Sequence, residues 1–532
     1  MKLFYRLLIL SILSVLTIEC ARKGRPEGGP KDETAPIMVT AKPANESVNF
    51  DAKNIRIYFD EYIVLKDLTK QLVISPPLKN PPLITPQGTP SKYINIKILD
   101  TLQPNTTYTF NFGNAVQDNN ENNKLENFKY VFSTGTYIDS LTTKGTINDA
   151  LTGKLKKNVS ILLYRLDSTY TDSIMYKQKP SYVANTADSL NFQFTNLKEG
   201  KYVIMGLDEE NRDYIFNPKT DKIGFLTDTI SLPKDSIITN SLTVFKEIQP
   251  YTFKRAKEVT KGKIEFGFEG KQTDMKVELL SQVPSDFKSY TQFEKEKDTL
   301  NYWHTPIDVD SLNFRVANKE FIDSVTVRLR KKKIDSLVVN STISSTLHLN
   351  DTVFLTTNNP VELIDNSKIS LFDKDTTEVA YELYKKEINK IALLFDKKPK
   401  NSYTLKVLPK AITDLYNTSN DTLSYKFSTK EVEDYGTIAL TIQKETESPV
   451  IIQLLDKNKV IRTDYVTNPR IVEFTLLEPK EYTIRAIIDT NGNKVWDTGN
   501  FLQKIQPERI VYYTENLKLR ANWSFNETFI IK

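Results

Sequence analysis

Apolar and polar residues alternate in short runs along almost the whole chain. Asn54–Asp60, Thr107–Phe112 and Phe128–Thr134 each alternate with period two, as half-buried strands do. Turn signals separate such runs every eight to twelve residues or so, and no long amphipathic helix pattern interrupts them. The predicted fold class is therefore all-β, a tandem array of antiparallel β-sandwich domains rather than a parallel α/β sheet.

The runs also repeat in order. Thr352–Leu355, Ser402–Val407 and Tyr425–Thr429 echo the strands of the first region, and Ala411-Ile412-Thr413-Asp414 stands where Ala115-Val116-Gln117-Asp118 stood before. A second pair follows the same logic. Gly145-Thr146-Ile147, Val159–Tyr164, Phe192–Leu197 and Gly200–Ile204 return as Gly436-Thr437-Ile438, Val450–Leu455, Val472–Leu477 and Glu481–Ala486. Duplication explains the match in order, spacing and ending. Between the copies lies a further β-patterned stretch that includes Lys263–Phe268 and Leu312–Val316. The predicted organisation is 34–135, 136–250, 251–340, 341–431 and 432–532, after an N-terminal segment 1–19 and a tether 20–33. Each region is long enough to bury a sandwich core.

The N-terminus changes the picture. Lys2 and Arg6 precede an apolar run, Leu7–Ile18, too short for an ordinary membrane span but suited to a signal-peptide core. The chain's one cysteine, Cys20, follows it directly, so no intramolecular disulfide can form. The polar, Gly- and Pro-containing stretch Ala21–Asp32 reads as a flexible tether. Lys and Arg number 72 against 67 Asp and Glu, a formal charge of +5 spread along the chain. The densest basic run, Arg328–Lys333, reads as a solvated strand end, and no broad basic face suggests a nucleic-acid partner.

Cys20 after such a core resembles the lipidation site of bacterial lipoproteins. The family's leucine and small residue are replaced at the corresponding positions by Thr17 and Glu19. The first repeated region resembles the bacterial Ig-like domain of surface-layer and envelope proteins. Phe59-Asp60-Glu61-Tyr62-Ile63 and the closing Phe132-Ser133-Thr134-Gly135 carry that resemblance, and Asn359-Pro360-Val361 restores the family's proline in the later copy. The second repeated region resembles the transthyretin-like, carboxypeptidase-regulatory-like sandwich, through Leu197–Tyr202 and Leu477–Tyr482. The whole layout resembles Ig-like lipoproteins of outer-membrane-bearing bacteria. These motifs are structural and speak to fold more than to activity.

Candidate chemistry is sparse. Asp489, Asn491, Asn493 and Asp497 place oxygen-bearing side chains at the first, third, fifth and ninth positions of a loop, as a calcium site begins. Lys494 and Asn500 depart from the EF-hand pattern, and an Asx-rich turn accounts for the same residues. The equivalent loop in the earlier copy, Glu209–Asp213 with Asn217, carries Arg212, and Asp118–Asn123 fits a hairpin loop. The two histidines, His304 and His348, fall in different regions. Tyr302-Trp303-His304 reads first as an aromatic strand filling a core. No nucleophile elbow, zinc helix or phosphate loop is found. Calcium is the one cofactor suggested and none is required.

The expected function is a non-enzymatic, lipid-anchored cell-envelope protein. It would act as a β-sandwich scaffold or docking module, including as an accessory subunit of an outer-membrane protein complex. Its partners would be the outer membrane, through the anchor, and an envelope protein. The absence of an acidic run after Cys20 favours the periplasmic face over the cell surface. The alternative is a carbohydrate-binding protein, or a glycan hydrolase, which predicts an aromatic platform with Trp303, Trp496 or Trp523 exposed.

Overall fold

Ile55, Ile57 and Phe59 point to one side of the strand Asn54–Leu65 and are fully or almost fully buried, while the residues between them stay more open. That alternation, repeated strand after strand, builds the protein. The structure, a computed structural model, describes residues 32–154, 159–186, 191–295, 297–343 and 345–532. Cys20 and the segment that precedes it lie outside the described residues. The described chain is nearly all β, folded as five sandwiches in sequence. Among the described residues no helix is long and apolar enough to cross a membrane.

In the first sandwich, Met38–Lys42, Asn54–Leu65, Ser91–Lys97 and Leu83–Thr85 form one sheet in that order. Val116–Asp118 pairs with the far end of Asn54–Leu65, and Val73–Ser75, Thr107–Gly113 and Phe128–Ser133 form the facing sheet. Ile55, Ile94, Phe110, Phe112 and Phe132 fill the space between. The fourth sandwich has the same order: Val339–Ser341, Val353–Thr357, Lys390–Phe395 and Tyr381–Glu387 oppose Ile369–Phe372, Ser402–Val407 and Leu423–Ser428. Ile412–Asp414 again forms a side pair, here with Val361–Ile364.

The second and fifth sandwiches share another topology. Tyr182–Asn185, Ser160–Arg165, Gly200–Asp208 and Lys222–Phe225 correspond to Lys459–Val466, Val450–Asp456, Glu481–Ile488 and Ile510–Tyr512. Their facing sheets are Asn191–Leu197, Leu141–Asp149, Leu242–Val244 and Ile471–Leu477, Gly436–Lys444, Ser524–Ile531. The alternating pattern predicts antiparallel sandwiches, but in both the last strand joins its sheet parallel to the first. In each, most of the sandwich intervenes between the two paired strands, which gives the crossover that parallel pairing requires and a tight hairpin cannot supply.

The third sandwich packs Thr252–Thr260, Lys263–Glu269, Thr299–His304 and Ser289–Phe293 against Lys276–Leu279, Ser311–Asn318 and Phe321–Arg328. Its core holds Ile264, Phe266, Leu300, Tyr302 and Phe314. Arg328 ends a strand as expected. Just beyond it, the backbone N–H of Arg330 donates to Glu258 Oε2 and Lys332 Nζ to the Val259 carbonyl, so part of the basic run is tied down locally.

A further buried cluster lies outside these cores. Leu162, Tyr164, Met205, Ile223, Phe225 and Phe245, on or beside the outward face of the second sandwich's larger sheet, pack with Val73 of the first sandwich and Phe501 of the fifth. The array therefore folds back, with its last unit seated on its second.

Candidate functional site

Two acidic loops stand at equivalent places in the repeat. Asp489 follows the strand Glu481–Ile488, as Glu209 follows Gly200–Asp208.

The Asp489 loop is knit by its own side chains. Asp489 is fully buried, with one carboxylate oxygen accepting the N–H of Asn493 at 3.1 Å and the other that of Lys494 at 2.9 Å. Asn491 Oδ1 accepts from Asn493 N, and Asn493 Oδ1 from Val495 N. Both amide nitrogens donate to Asp497 Oδ2 at 2.6 Å. Gly492 and Lys494 adopt the positive φ that such a tight reversal needs, and Lys494 Nζ lies 5.2 Å from the Tyr465 ring centroid. The four predicted residues thus come together, but as interlocked Asx turns. Binding calcium, which takes six to eight oxygens, would require both amides to turn and free the oxygens now in use. Among the described residues no group of three or more His, Cys, Asp or Glu could hold a metal ion.

Sequence reasoning missed the residue that anchors this loop, Glu508. It is buried, accepts from Thr490 N at 2.7 Å and Thr490 Oγ1 at 2.9 Å, and receives Asp497 N at 3.1 Å. Trp496 Nε1 donates to the Glu508 carbonyl. So braced, the loop docks on the second sandwich. Phe501 is fully buried, 5.3 Å from the Phe225 ring, and its N–H donates to Glu247 Oε1 at 2.6 Å. Thr498 Oγ1 donates to the Lys246 carbonyl and Gln506 Nε2 to that of Phe225, while Lys504 pairs with Asp172 at 2.7 Å. Burial pushes the Glu247 carboxyl up, against the Phe501 N–H bond that favours its charge. Nearby, Arg485 Nη1 donates to the Leu151 carbonyl at 3.0 Å, joined there by the Tyr512 hydroxyl. Nothing local in the sequence marks these partners, which lie some 250 residues apart in the Glu247–Phe501 bond.

The Glu209 loop faces the first sandwich. Arg212 Nη1 donates to the Thr69 carbonyl at 3.1 Å and to that of Lys70. Arg212 thus serves as a clamp between the two sandwiches. Between the two sandwiches lies a cleft of about 760 Å³, walled by Leu72, Ile74, Pro77 and Pro82 on one side and by Glu209 and Tyr214 on the other. Glu209 Oε2 accepts from Tyr214 N at 3.1 Å, and the Ser160 side chain also favours the charged form, but burial outweighs both. Burial pushes this carboxyl up to about 7.

The remaining candidates are structural. Asp118 is buried and accepts four backbone N–H groups, of Asn120, Glu121, Asn122 and Asn123, so its loop is closed by a single carboxylate. Tyr302, Trp303 and His304 are all buried. His304 Nδ1 meets the Thr305 carbonyl at 2.9 Å, and burial holds its pKa below the usual histidine value. His348 pairs with Glu478 at 3.3 Å at the junction of the fourth and fifth sandwiches, away from His304. The tryptophans form no common platform: Trp303 is 2% exposed, Trp496 is half-buried, and Trp523, 48% exposed, stands in another sandwich from Trp303.

Comparison with known proteins agrees with the first sandwich. Residues 32–134 match a family model described as a bacterial Ig-like domain. No curated protein matches the chain. Among solved structures it aligns with domains 1-6 of the surface layer protein SbsC, at 11% identity over 92% of this chain and 68% of that one, with a TM-score of 0.16. It also aligns with the Bacillus anthracis TIE protein (10% identity, 95% and 76% covered, TM-score 0.15). A third is BcpA, the major pilin subunit of Bacillus cereus (11% identity, 74% and 99% covered, TM-score 0.14). At such scores these superpositions carry no argument about arrangement or activity.

Proposed function

We propose that this array, whose first sandwich is a bacterial Ig-like domain, is a non-enzymatic scaffold of the cell envelope held to the outer membrane by a lipid on Cys20. The observation that carries the reading is the seat of the Asp489 loop on the second sandwich, which fixes the last unit against an earlier one. An array closed in this way presents its loops and sheet edges in a set geometry, as docking to an envelope partner requires. The transthyretin-like character of the second and fifth sandwiches, the accessory-subunit role and the periplasmic face belong to the same proposal. An acyl anchor raises the effective concentration of the scaffold at its partner, and a multiply acylated cysteine holds far better than a single chain.

Mild crosslinking and pull-down of the tagged protein from its native membranes tests the docking role. Stoichiometric recovery of an outer-membrane barrel or transporter supports it, and recovery of the protein alone counts against it. Cys20→Ser separates the anchor from the docking: the variant is expected in the soluble fraction, and unchanged membrane fractionation would sink the lipid claim.

A further inference from the structure

The outward face of the third sandwich's larger sheet has an unusual composition for a surface that another unit covers. Asn301 and Trp303 are two residues apart on Thr299–His304 and so share a face. Register places Gln292 opposite Asn301 and Tyr290 opposite Trp303 on one side, with Lys263 opposite Trp303 on the other. The alternate residues, Leu300 and Tyr302, fill the sandwich core. An outward sheet face is ordinarily wet. Here Trp303 is 2% and Asn301 5% exposed, because the fourth sandwich lies over them.

The cover is incomplete. A cavity of about 370 Å³ remains between the two sandwiches, walled on the far side by Thr356, Glu387 and Lys390. Three polar atoms of its near-side residues are buried with no partner: Gln292 Oε1, Asn301 Oδ1 and Trp303 Nε1. Their roles are fixed. Gln292 Nε2 donates to Glu387 Oε2 at 2.7 Å, and the Asn301 side chain is hydrogen-bonded to the Glu294 carboxylate. A carboxylate only accepts, so the amide nitrogens face the carboxylates and the free atoms are carbonyl oxygens. The atoms are sealed from solvent as the structure stands, so an occupant reaches them only once their cover moves aside, and the wall then offers two acceptors and one indole donor. Leaving each unmet costs about 1–3 kcal/mol, so three on one wall call for an occupant.

The surrounding charges narrow its chemistry. Lys295 and Lys390 both lie 3.9 Å from Glu387, so the rim largely neutralises itself. Lys263 Nζ rests 5.3 Å from the Trp303 ring centroid, a flexible cover that an entering group can displace. The occupant must give two hydrogens to carbonyl oxygens and accept one from an indole, without net charge. Hydroxyl groups do both. The volume, near the lower end of the range for ligand sites, suits a small molecule. We propose that the junction of the third and fourth sandwiches binds one ring of a neutral saccharide, with Asn301, Gln292 and Trp303 reading its hydroxyls. The site is a partly open cleft between two units, unlike an exposed aromatic platform, and does not depend on the scaffold reading.

The test is titration of the full chain with neutral hexoses and their oligosaccharides, followed by tryptophan fluorescence and calorimetry. Saturable binding is expected, at least tenfold weaker in Trp303→Phe, which keeps an aromatic ring there but deletes the indole donor and part of the ring system. Gln292→Met is expected to weaken it similarly, and circular dichroism establishes that both variants are folded. Tighter binding of oligosaccharides than of free hexose would identify a glycan end as the source, and equal binding a free sugar. No saturable signal up to about 10 mM sugar, a range that covers millimolar affinities, overturns the proposal. So does binding that folded Trp303→Phe and Gln292→Met leave unchanged.

Discussion

Glu247 and Phe501, in different sandwiches, meet through a 2.6 Å hydrogen bond from the Phe501 backbone N–H to the Glu247 carboxylate. The contact joins an apolar insertion to a polar lock. The Phe501 ring enters the cluster of Phe225 and Phe245, and the buried carboxylate directly beyond that cluster fixes the backbone that carries it. Gly499 lets the chain approach so closely. A Cβ there would come within 2.6 Å of both the Ile505 carbonyl and the Phe245 ring.

Phe501→Ala is therefore expected to release the seat, at the cost of about 3–5 kcal/mol usual for a buried Phe→Ala. Gly499→Ala should act in the same direction through collision. The fifth sandwich has its own core, so it stays folded while the array opens. Small-angle scattering should report a larger radius of gyration, and hydrogen exchange should rise at 496–508 and 245–247. An unchanged scattering profile with Phe501→Ala would show that the seat does not hold the array closed.

Glu209 predicts a pH dependence. Its carboxyl titrates near 7 in the folded protein against an ordinary glutamate value of 4.5. A raised value favours folding below the unfolded pKa, and that contribution is lost as pH rises through the folded one. The loss runs from about pH 4.5 to 7 and reaches at most about 3 kcal/mol. Glu209→Gln should flatten this part of the stability profile and raise the melting temperature at pH 8 relative to the parent. Parallel profiles for parent and variant across that range would remove Glu209 as the cause.

Strand alternation and repeat order were legible because burial on one side of a sheet imposes period two on the residues themselves. Asn54–Leu65, Thr107–Gly113 and Glu481–Ile488 stand where their patterns predict, and the recurrence of Asp118 as Asp414 was readable from spacing alone. The seat of the fifth sandwich was not. Glu247, Glu508 and Phe501 lie in segments without periodicity, and only the three-dimensional return of the chain gives them partners. Trp303 shows a different limit. Its alternation marks a strand, yet which side faces the core depends on register, and it lies on the outward side beneath the fourth sandwich.

The Asp489 loop makes a prediction about calcium. Its carboxylates and amides already satisfy one another and the loop backbone. Millimolar calcium or EDTA is expected to leave the melting temperature of the parent unchanged, and a shift of several degrees would show that the amides turn to bind the ion. Asp489→Ala should destabilise the fifth sandwich by about 1–3 kcal/mol, because the buried N–H groups of Asn493 and Lys494 lose their acceptor.

Asp118 and Asp414 place the same carboxylate in two copies of one sandwich. Asp414 accepts Tyr416 N and Thr418 N and receives Asn359 Nδ2 at 2.8 Å, where Asp118 accepts four backbone donors. Burial alone would push the Asp118 carboxyl up, but those donors outweigh it and hold it below the usual aspartate value of 3.8. A lowered value stabilises the fold above the unfolded pKa, and the contribution is lost as pH falls through the folded one. The Asp118 contribution should therefore be lost only below about pH 4, the ordinary aspartate range. Asp118→Ala should cost about 2–4 kcal/mol at neutral pH by orphaning several N–H groups, and should flatten that acid limb. Hydrogen exchange resolved to residues 116–125 checks the site directly. Unchanged protection there in the variant would show that the loop is held by its strand pairing with Asn54–Leu65 and not by the carboxylate.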